Sequence, residues 1–345
     1  MSWSTRCAVL VVEANLHIKL GLTFQFNGLI RWLETSSPFQ VEVDLFIASS
    51  LLMKKTDSLR LAGGAVALLA GTLSMQTLQA QEATSWLDYA VTPISNPVWF
   101  EDARITTEVR PIFIHHSIDD GFITAGGNVE IYALQLRYAI TEKLAFIAVK
   151  DGYVDFNPKA LPDQEGYADI AAGFKYNFYR NDDLQLLVTP GITFEFPWGN
   201  RDVFQGNGDG VVHPFVSVLK GYDEIQFAFN AGLQLPLDGD EETAQAHYSA
   251  HAHWEVTPYV IPVIELNGFY VFNDGTALPG LTSEGFDVIN FGAGNAGGED
   301  FATFAVGVRS KVTGNVELGV AWEKNITGSG TLFDTRFTAD LIYRF

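Results

Sequence analysis

The 345-residue sequence contains a single cysteine, Cys7, close to its start. One thiol can form neither an internal disulfide framework nor a multi-cysteine metal site, so both are excluded. Basic residues are also scarce, with 21 Lys and Arg against 41 Asp and Glu and a net charge of −20. A balance this acidic repels phosphate backbones and argues against nucleic acid as a partner. Beyond residue 81 no stretch approaches the roughly 20 apolar residues that a membrane-spanning helix requires. A Gly-x-Ser-x-Gly nucleophile elbow is absent too. What the chain does have is aromatic residues and alternation.

The alternation is clearest at the end. Phe337, Ala339, Leu341, Tyr343 and Phe345 fall on every second position, with Arg336, Thr338, Asp340 and Arg344 between them. Successive side chains of a strand point to opposite faces, so one face is apolar and the other polar. A final strand ending on Phe345, with Tyr343 and Leu341 stepping back by twos, resembles the closing strand of bacterial outer-membrane β-barrels. The resemblance implies that these three residues serve as an assembly signal read by the barrel-assembly machinery.

The start of the chain bears on its compartment. Met53-Lys-Lys-Thr-Asp-Ser-Leu-Arg60 is a basic stretch, Leu61 to Ala70 is an apolar one, and Leu78-Gln-Ala-Gln81 offers a small-residue cleavage site. This is the layout of a secretory signal peptide over residues 53–80, cut after Ala80. Residues 1–52 then read as a spurious upstream extension. A genuine extension with a core helix at 61–70 is the alternative. Residues 81–102 form a leader that is aromatic and proline-rich from Trp86 to Phe100, unlike a disordered tail. Pro93 and Pro97 make it a poor strand or helix interior. It is expected to pack at the periplasmic mouth or partly plug a lumen, or else to be loosely ordered.

From residue 103 to 345 twelve strand-like runs follow, beginning near Ala103, Val129, Leu144, Tyr167, Leu184, Val211, Ile225, Ala246, Val260, Phe301, Val316 and Leu332. Tight connections such as Thr141-Glu-Lys143 and Thr313-Gly-Asn315 alternate with longer ones rich in Gly, Asp and Asn, such as 200–210 and 274–298. The expected fold is all-β, a closed antiparallel transmembrane barrel of about twelve strands with both termini periplasmic. Ile170, Ala172, Phe174, Tyr176 and Phe178 should face lipid, and Asp169, Gly173, Lys175 and Asn177 the lumen. Strand three is ambiguous because Lys150 and Asp151 are adjacent. A soluble β-sandwich also alternates, but does not need a terminal Phe or so regular a sequence of short and long connections.

Tyr167-Ala-Asp-Ile-Ala-Ala-Gly-Phe-Lys-Tyr176, followed by Thr193-Phe-Glu-Phe-Pro-Trp-Gly199, is similar to segments of the outer-membrane "transporter" family linked with the meta-pathway of phenol degradation. That family typically shows a Gly-Asp-…-Gly-x-Lys-Tyr strand and then a strand ending Pro-Thr-Gly. Here Ala168 separates Tyr167 from Asp169, and Trp198 stands in place of the Thr. The resemblance covers most of residues 103–345. It implies passive passage of small, hydrophobic or aromatic molecules and carries no catalytic residue or cofactor.

Ionisable residues expected on the lumen are Arg104, Glu108, Arg110, Arg137, Asp169, Lys175, Glu195, Glu265, Arg309, Lys311, Arg336, Asp340 and Arg344. Mixed signs in a narrow lumen set a field across a water path, or simply pair and fill space. His247, His251, His253 and Glu255 share one strand face at short spacing. They are a candidate metal-binding or pH-sensitive stripe, or merely neutral polar lining. His115 lies opposite Glu130 and Tyr132, without a serine, so an enzyme is not expected. The alternative to a channel is a structural or adhesive barrel acting through its acidic outer loops, and a barrel-embedded hydrolase is a more remote one. Expected partners are outer-membrane lipid, lipopolysaccharide and a small solute. A closed barrel leaves no strand edge to hide, so a monomer is expected. If Ala80 precedes the cleavage site, mass spectrometry of the mature protein will begin at Gln81. Recovery of peptides from residues 1–52 would sink that reading.

Overall fold

The structure is a computed structural model that describes residues 85–345. The expected signal peptide and upstream extension lie outside the described residues. No helix among them is long and apolar enough to cross a membrane.

Twelve antiparallel strands follow one another as a meander. They are β1 (Glu108–Ile118), β2 (Gly127–Ala139), β3 (Leu144–Lys150 and Tyr153–Pro158), β4 (Gln164–Tyr167, Ile170–Tyr176 and Tyr179–Asn181), β5 (Leu186–Phe196), β6 (Val211–Tyr222), β7 (Ile225–Pro236), β8 (Ala244–Trp254), β9 (Ile261–Asn273), β10 (Asp300–Lys311), β11 (Val316–Asn325) and β12 (Thr335–Arg344). The sheet closes on itself where β12 pairs with β1, from Glu108 opposite Arg344 to Ser117 opposite Thr335. Closure gives every wall strand two neighbours, which hydrocarbon surroundings demand of a spanning backbone. The uninterrupted strands run 10 to 13 residues. That length crosses a bilayer at a barrel's tilt.

Alternation sorts the side chains as the sequence predicts. Ile170, Phe174, Tyr176 and Phe178 are exposed, whereas Asp169 and Lys175 are buried. On β7, Phe229, Leu233 and Leu235 are exposed while Gln226, Asn230 and Gln234 are buried. On β11, Leu318, Val320 and Trp322 point out, and Glu317 and Glu323 point in. Apolar residues outside and polar residues inside invert a soluble protein, which suits lipid contact.

Two boundaries differ from the sequence reading. The wall begins at Glu108 rather than near Ala103, and the last strand at Thr335 rather than near Leu332. Ala103 and Leu332 are apolar residues that pack inside the barrel from outside its ladder, and alternation alone does not separate such residues from a strand start. The ambiguity at Lys150 and Asp151 resolves as a bulge, with the register against β4 shifting between Ala148 and Lys150. Asp151 caps the interrupted ladder by accepting the Leu134 N–H at 2.8 Å. Lys150 turns inward to Glu195 at 2.5 Å. Gly152 beside them has φ +117°, which favours glycine.

Short turns at one end alternate with longer loops at the other. Loop 274–299 folds inward and seats Phe286 on Phe301 with centroids 4.1 Å apart. Phe122, Phe291, Leu332 and Phe333 belong to the same apolar cluster, which fills the loop end of the lumen.

The lipid face makes a simple prediction. Phe174→Arg places a guanidinium on the outward wall and should cost about 2–4 kcal/mol near mid-membrane. Glu142→Arg in a turn should change stability by less than about 1 kcal/mol. Denaturant unfolding of the barrel in liposomes measures both.

Candidate functional site

The lumen holds a piece of the chain itself. Trp86, Ala90, Val91, Ile94, Trp99 and Phe100 are buried, as are Thr92, Ser95 and Asn96 among them. The segment enters at the turn end, where a single 3₁₀ turn, Trp86–Asp88, is capped by Ser85. The Trp86 indole donates to Asp182, in a turn, at 2.9 Å. It climbs to Trp99, which lies edge-on to His213 with centroids 4.4 Å apart. It then returns to the turn end, where the Thr107 carbonyl accepts the Phe345 N–H at 3.1 Å.

A backbone buried in this way must find hydrogen-bond partners, and Pro93 and Pro97 forbid a regular ladder of its own. Wall side chains supply them instead. Gln226 donates to the Trp86 carbonyl at 2.6 Å and Arg110 to that of Pro93 at 2.8 Å. Gln135 donates to the Pro97 carbonyl at 2.7 Å, Ser217 to that of Glu101 at 2.7 Å and Thr189 to that of Ala103 at 2.7 Å. Glu265 acts in the opposite sense, accepting the N–H groups of Ile94 at 2.8 Å and Ser95 at 2.6 Å.

The expected ionisable residues fall into compact groups around this segment. Glu101 on the segment sits between Arg137 at 2.6 Å and Lys175 at 2.7 Å. Glu108 also faces Arg137, at 3.5 Å, so Glu101 is the nearest counter-charge that the two buried cations share. Asp340 joins Arg110 at 2.5 Å to Arg309 at 2.9 Å. Arg344 bridges Glu108 at 2.9 Å and Glu317. Lys311 contacts Glu255 at 2.5 Å and the Asp88 carbonyl. Arg104 is not on an opening strand; it lies in the segment and pairs with Asp102 at 2.6 Å. Arg336 grips loop 274–299 through Asp287 at 2.6 Å. Asp169 anchors the loop after β5 by accepting N–H from Gly199 at 2.8 Å and Gly206 at 2.9 Å. Trp198 of the same motif is exposed and stacks on Phe196.

The histidines also come together, in two pairs. His251 Nε2 lies 2.8 Å from His253 Nδ1, and His251 Nδ1 lies 2.7 Å from Glu265. His247 Nε2 lies 2.6 Å from Nε2 of His213, a β6 residue that no strand-local spacing reveals. Glu255 lies just past the end of β8 and pairs with Lys311 rather than with a histidine. Among the described residues no group of three or more His, Cys, Asp or Glu is arranged to hold a metal ion. On the outside of the barrel, His115 meets Glu130 at 3.4 Å, and Tyr132 donates to Glu130 at 3.0 Å. At the C-terminus, Phe345 is exposed with its ring 5.0 Å from that of Tyr343, and Leu341 points outward and is half-buried.

Small cavities remain among the described residues. One of about 40 Å³ lies between Pro97 and Val98 of the segment and Ile112, Ile114, Ile131, Ala133, Val149 and Val154 of the wall, beside the β3 bulge. Another, of about 10 Å³, is lined by Trp99, Lys150, Glu195, Gln234, Glu242 and loop residues 286–290. Their sizes suit a water molecule or a small apolar group, not an aromatic solute.

The mouth loops contain carboxyls that strand alternation cannot flag. Burial pushes Glu284 up to about 7, against the pull of N–H donors from Phe291, Gly285 and Ala293. Burial, reinforced by the charge of Glu195, pushes Glu242 up to about 8. Both begin from 4.5 when unfolded, so the folded mouth favours the protonated forms. Their stabilising contribution is complete below the unfolded value and is lost as pH rises through the folded values. Limited proteolysis, normalised to an unfolded substrate, should therefore cut loops 237–243 and 274–299 faster at about pH 9 than at about pH 5. Glu284→Gln should flatten much of that dependence.

No model of a known protein family matches the chain, and no curated protein matches it either. Solved structures do resemble it. The COG4313 outer membrane channel from Pseudomonas putida F1 superposes with a TM-score of 0.53 at 14% identity, covering 74% of this chain and all of that one. The NanC porin gives a TM-score of 0.46 at 8% identity, covering 69% of this chain and all of that one. At such identity the likeness to the first is one of fold. Together with the closed twelve-strand wall, it gives this chain the architecture of a bacterial outer-membrane β-barrel.

Proposed function

We propose that the protein is an outer-membrane channel for passive passage of small, hydrophobic or aromatic molecules, gated by its own residues 86–104. The observation that carries this reading is how the segment is held. It contributes no strand to the wall, and its polar groups are met by wall side chains. It can leave without opening the ladder. A barrel whose role was purely structural would need no such exchangeable set of contacts. The cavity beside Pro97 and Val98 is mostly apolar but admits only a small group, so an aromatic solute passes only once the segment has left.

The signal-peptide reading puts the turn end and both termini in the periplasm, and the acidic loops outside. Lipopolysaccharide and its divalent counter-ions then meet those loops, and Phe345 is the handle for assembly. The barrel works as a monomer. The outer loops carry Asp163, Glu165, Asp202, Asp209, Asp238, Asp240 and Glu241 with few basic residues among them. Cations are favoured at that mouth, over a range of about 8–10 Å at physiological salt.

Planar-bilayer recording tests the channel. The mature barrel should conduct weakly. Deleting residues 82–100 should raise its single-channel conductance several-fold and keep a weak cation preference that fades at high salt. A folded deletion variant that stays silent would overturn the channel reading. Unchanged conductance would remove the segment from gating.

A further inference from the structure

We propose that Glu265, His251 and His253 form a one-proton latch that holds the lumenal segment at both Tyr89 and Ile94–Ser95. It extends beyond the channel reading and does not depend on it.

The geometry is a chain of three contacts between two acceptors. Glu265 Oε1 faces His251 Nδ1 at 2.7 Å, His251 Nε2 faces His253 Nδ1 at 2.8 Å, and His253 Nε2 faces the Tyr89 carbonyl at 3.0 Å. Each contact needs one hydrogen. Two neutral imidazoles carry only two between them, because each ring has one N–H and one bare nitrogen. If His253 donates to Tyr89, its Nδ1 must accept, so His251 Nε2 must donate. His251 Nδ1 would then be bare against a carboxylate. Starting from the Glu265 end moves the mismatch to Tyr89. The chain is complete only with one additional proton, giving an imidazolium at His251 beside an ionised Glu265.

That carboxylate also accepts the Ile94 and Ser95 N–H groups, so the proton and the segment share one anchor. The surroundings do not supply another. On β10, Lys311 is taken up by Glu255 and the Asp88 carbonyl. On the segment, Arg104 is paired with Asp102 and the Ala90 carbonyl. The β7 partners in register are Gln226 and Ala228, both uncharged. Phe100 closes the remaining side with its ring edge-on to His251.

Two consequences follow. Removing the proton sets two acceptors face to face at one link. Adding a second sets two donors face to face between His251 and His253. The hold on the segment is therefore greatest in an intermediate pH window and falls on both sides. Glu265→Gln separates the limbs. Its amide nitrogen, standing in place of Oε1, can donate to His251 Nδ1 and completes the chain with two neutral imidazoles and no extra proton. Its oxygen keeps the Ser95 N–H, while the Ile94 N–H loses its acceptor and overall protection falls. That variant should lose the alkaline decline and keep the acid one.

Hydrogen exchange of the folded mature barrel, corrected for intrinsic pH dependence, reads the latch without reference to conductance. Protection of residues 89–95 should peak near neutrality and drop by about tenfold or more on either side. Glu265→Gln should start from a lower protection at Ile94 but show no alkaline decline, and His251→Phe should be weakly protected throughout. Flat wild-type protection from about pH 5 to 9, or an unchanged alkaline decline in Glu265→Gln, overturns the proposal. Should the variants fold poorly, ¹⁵N imidazole spectra of the wild type decide. Two protonated ring nitrogens on His251 near neutral pH support the latch, and two neutral rings refute it.

Discussion

A peptide backbone that enters a barrel must have its polar groups satisfied there, and this requirement organises the whole interior. Residues 86–104 bring carbonyls and N–H groups into a space walled by strands that already pair with one another on both sides. Each buried group left unmet would cost roughly 1–3 kcal/mol. The wall answers with side chains rather than strands, as when Glu265 accepts two consecutive N–H groups and Arg110 and Gln135 donate to carbonyls beside the two prolines. The segment's Glu101 in turn pairs with both Arg137 and Lys175. Wall and segment are each incomplete without the other.

The two ends of the lumen are closed by different physics. Near the turn end, charges and amides predominate, grouped about Asp340, Glu317 and Asp102. Near the loop end, loop 274–299 inserts aromatic rings and ties itself to the wall through Asp287 and Arg336. The polar half responds to proton count and pairing, and the apolar half mainly to area removed from water. The buried Glu284 and Glu242 bring proton sensitivity into the second half as well.

The wall was legible because alternation is local. Ile170 to Phe178 and Phe337 to Phe345 state their faces within a few residues, and the closing strand announces itself on its last aromatic. The partners of the inward residues were not legible, because pairing inside a barrel ignores chain distance. Lys175 meets Glu101 and Arg336 meets Asp287, and neither spacing has a period to detect. His213 escaped for the same reason: alone on β6, it gains meaning only opposite His247. Glu101-Asp-Ala-Arg104 was the one available hint, a charged cluster closing an aromatic, proline-rich stretch. The bulge at Lys150 was visible as an ambiguity, since two adjacent charged residues cannot share one face of a regular strand.

Both ends of the lumenal hairpin lie at the turn end of the barrel, and its tip at Trp99 lies deepest. Tension applied at residue 85 along the barrel axis would thus load the attachments in series. Trp86 on Asp182 would give way first, then the bonds at Asp88 and Tyr89, then those at Pro93 and Glu265, and each rupture would transfer load to the next. A segment anchored in this manner peels instead of shearing. The work of withdrawal is spread over a long path, and the peak force is set by the strongest single attachment rather than by the sum of them all.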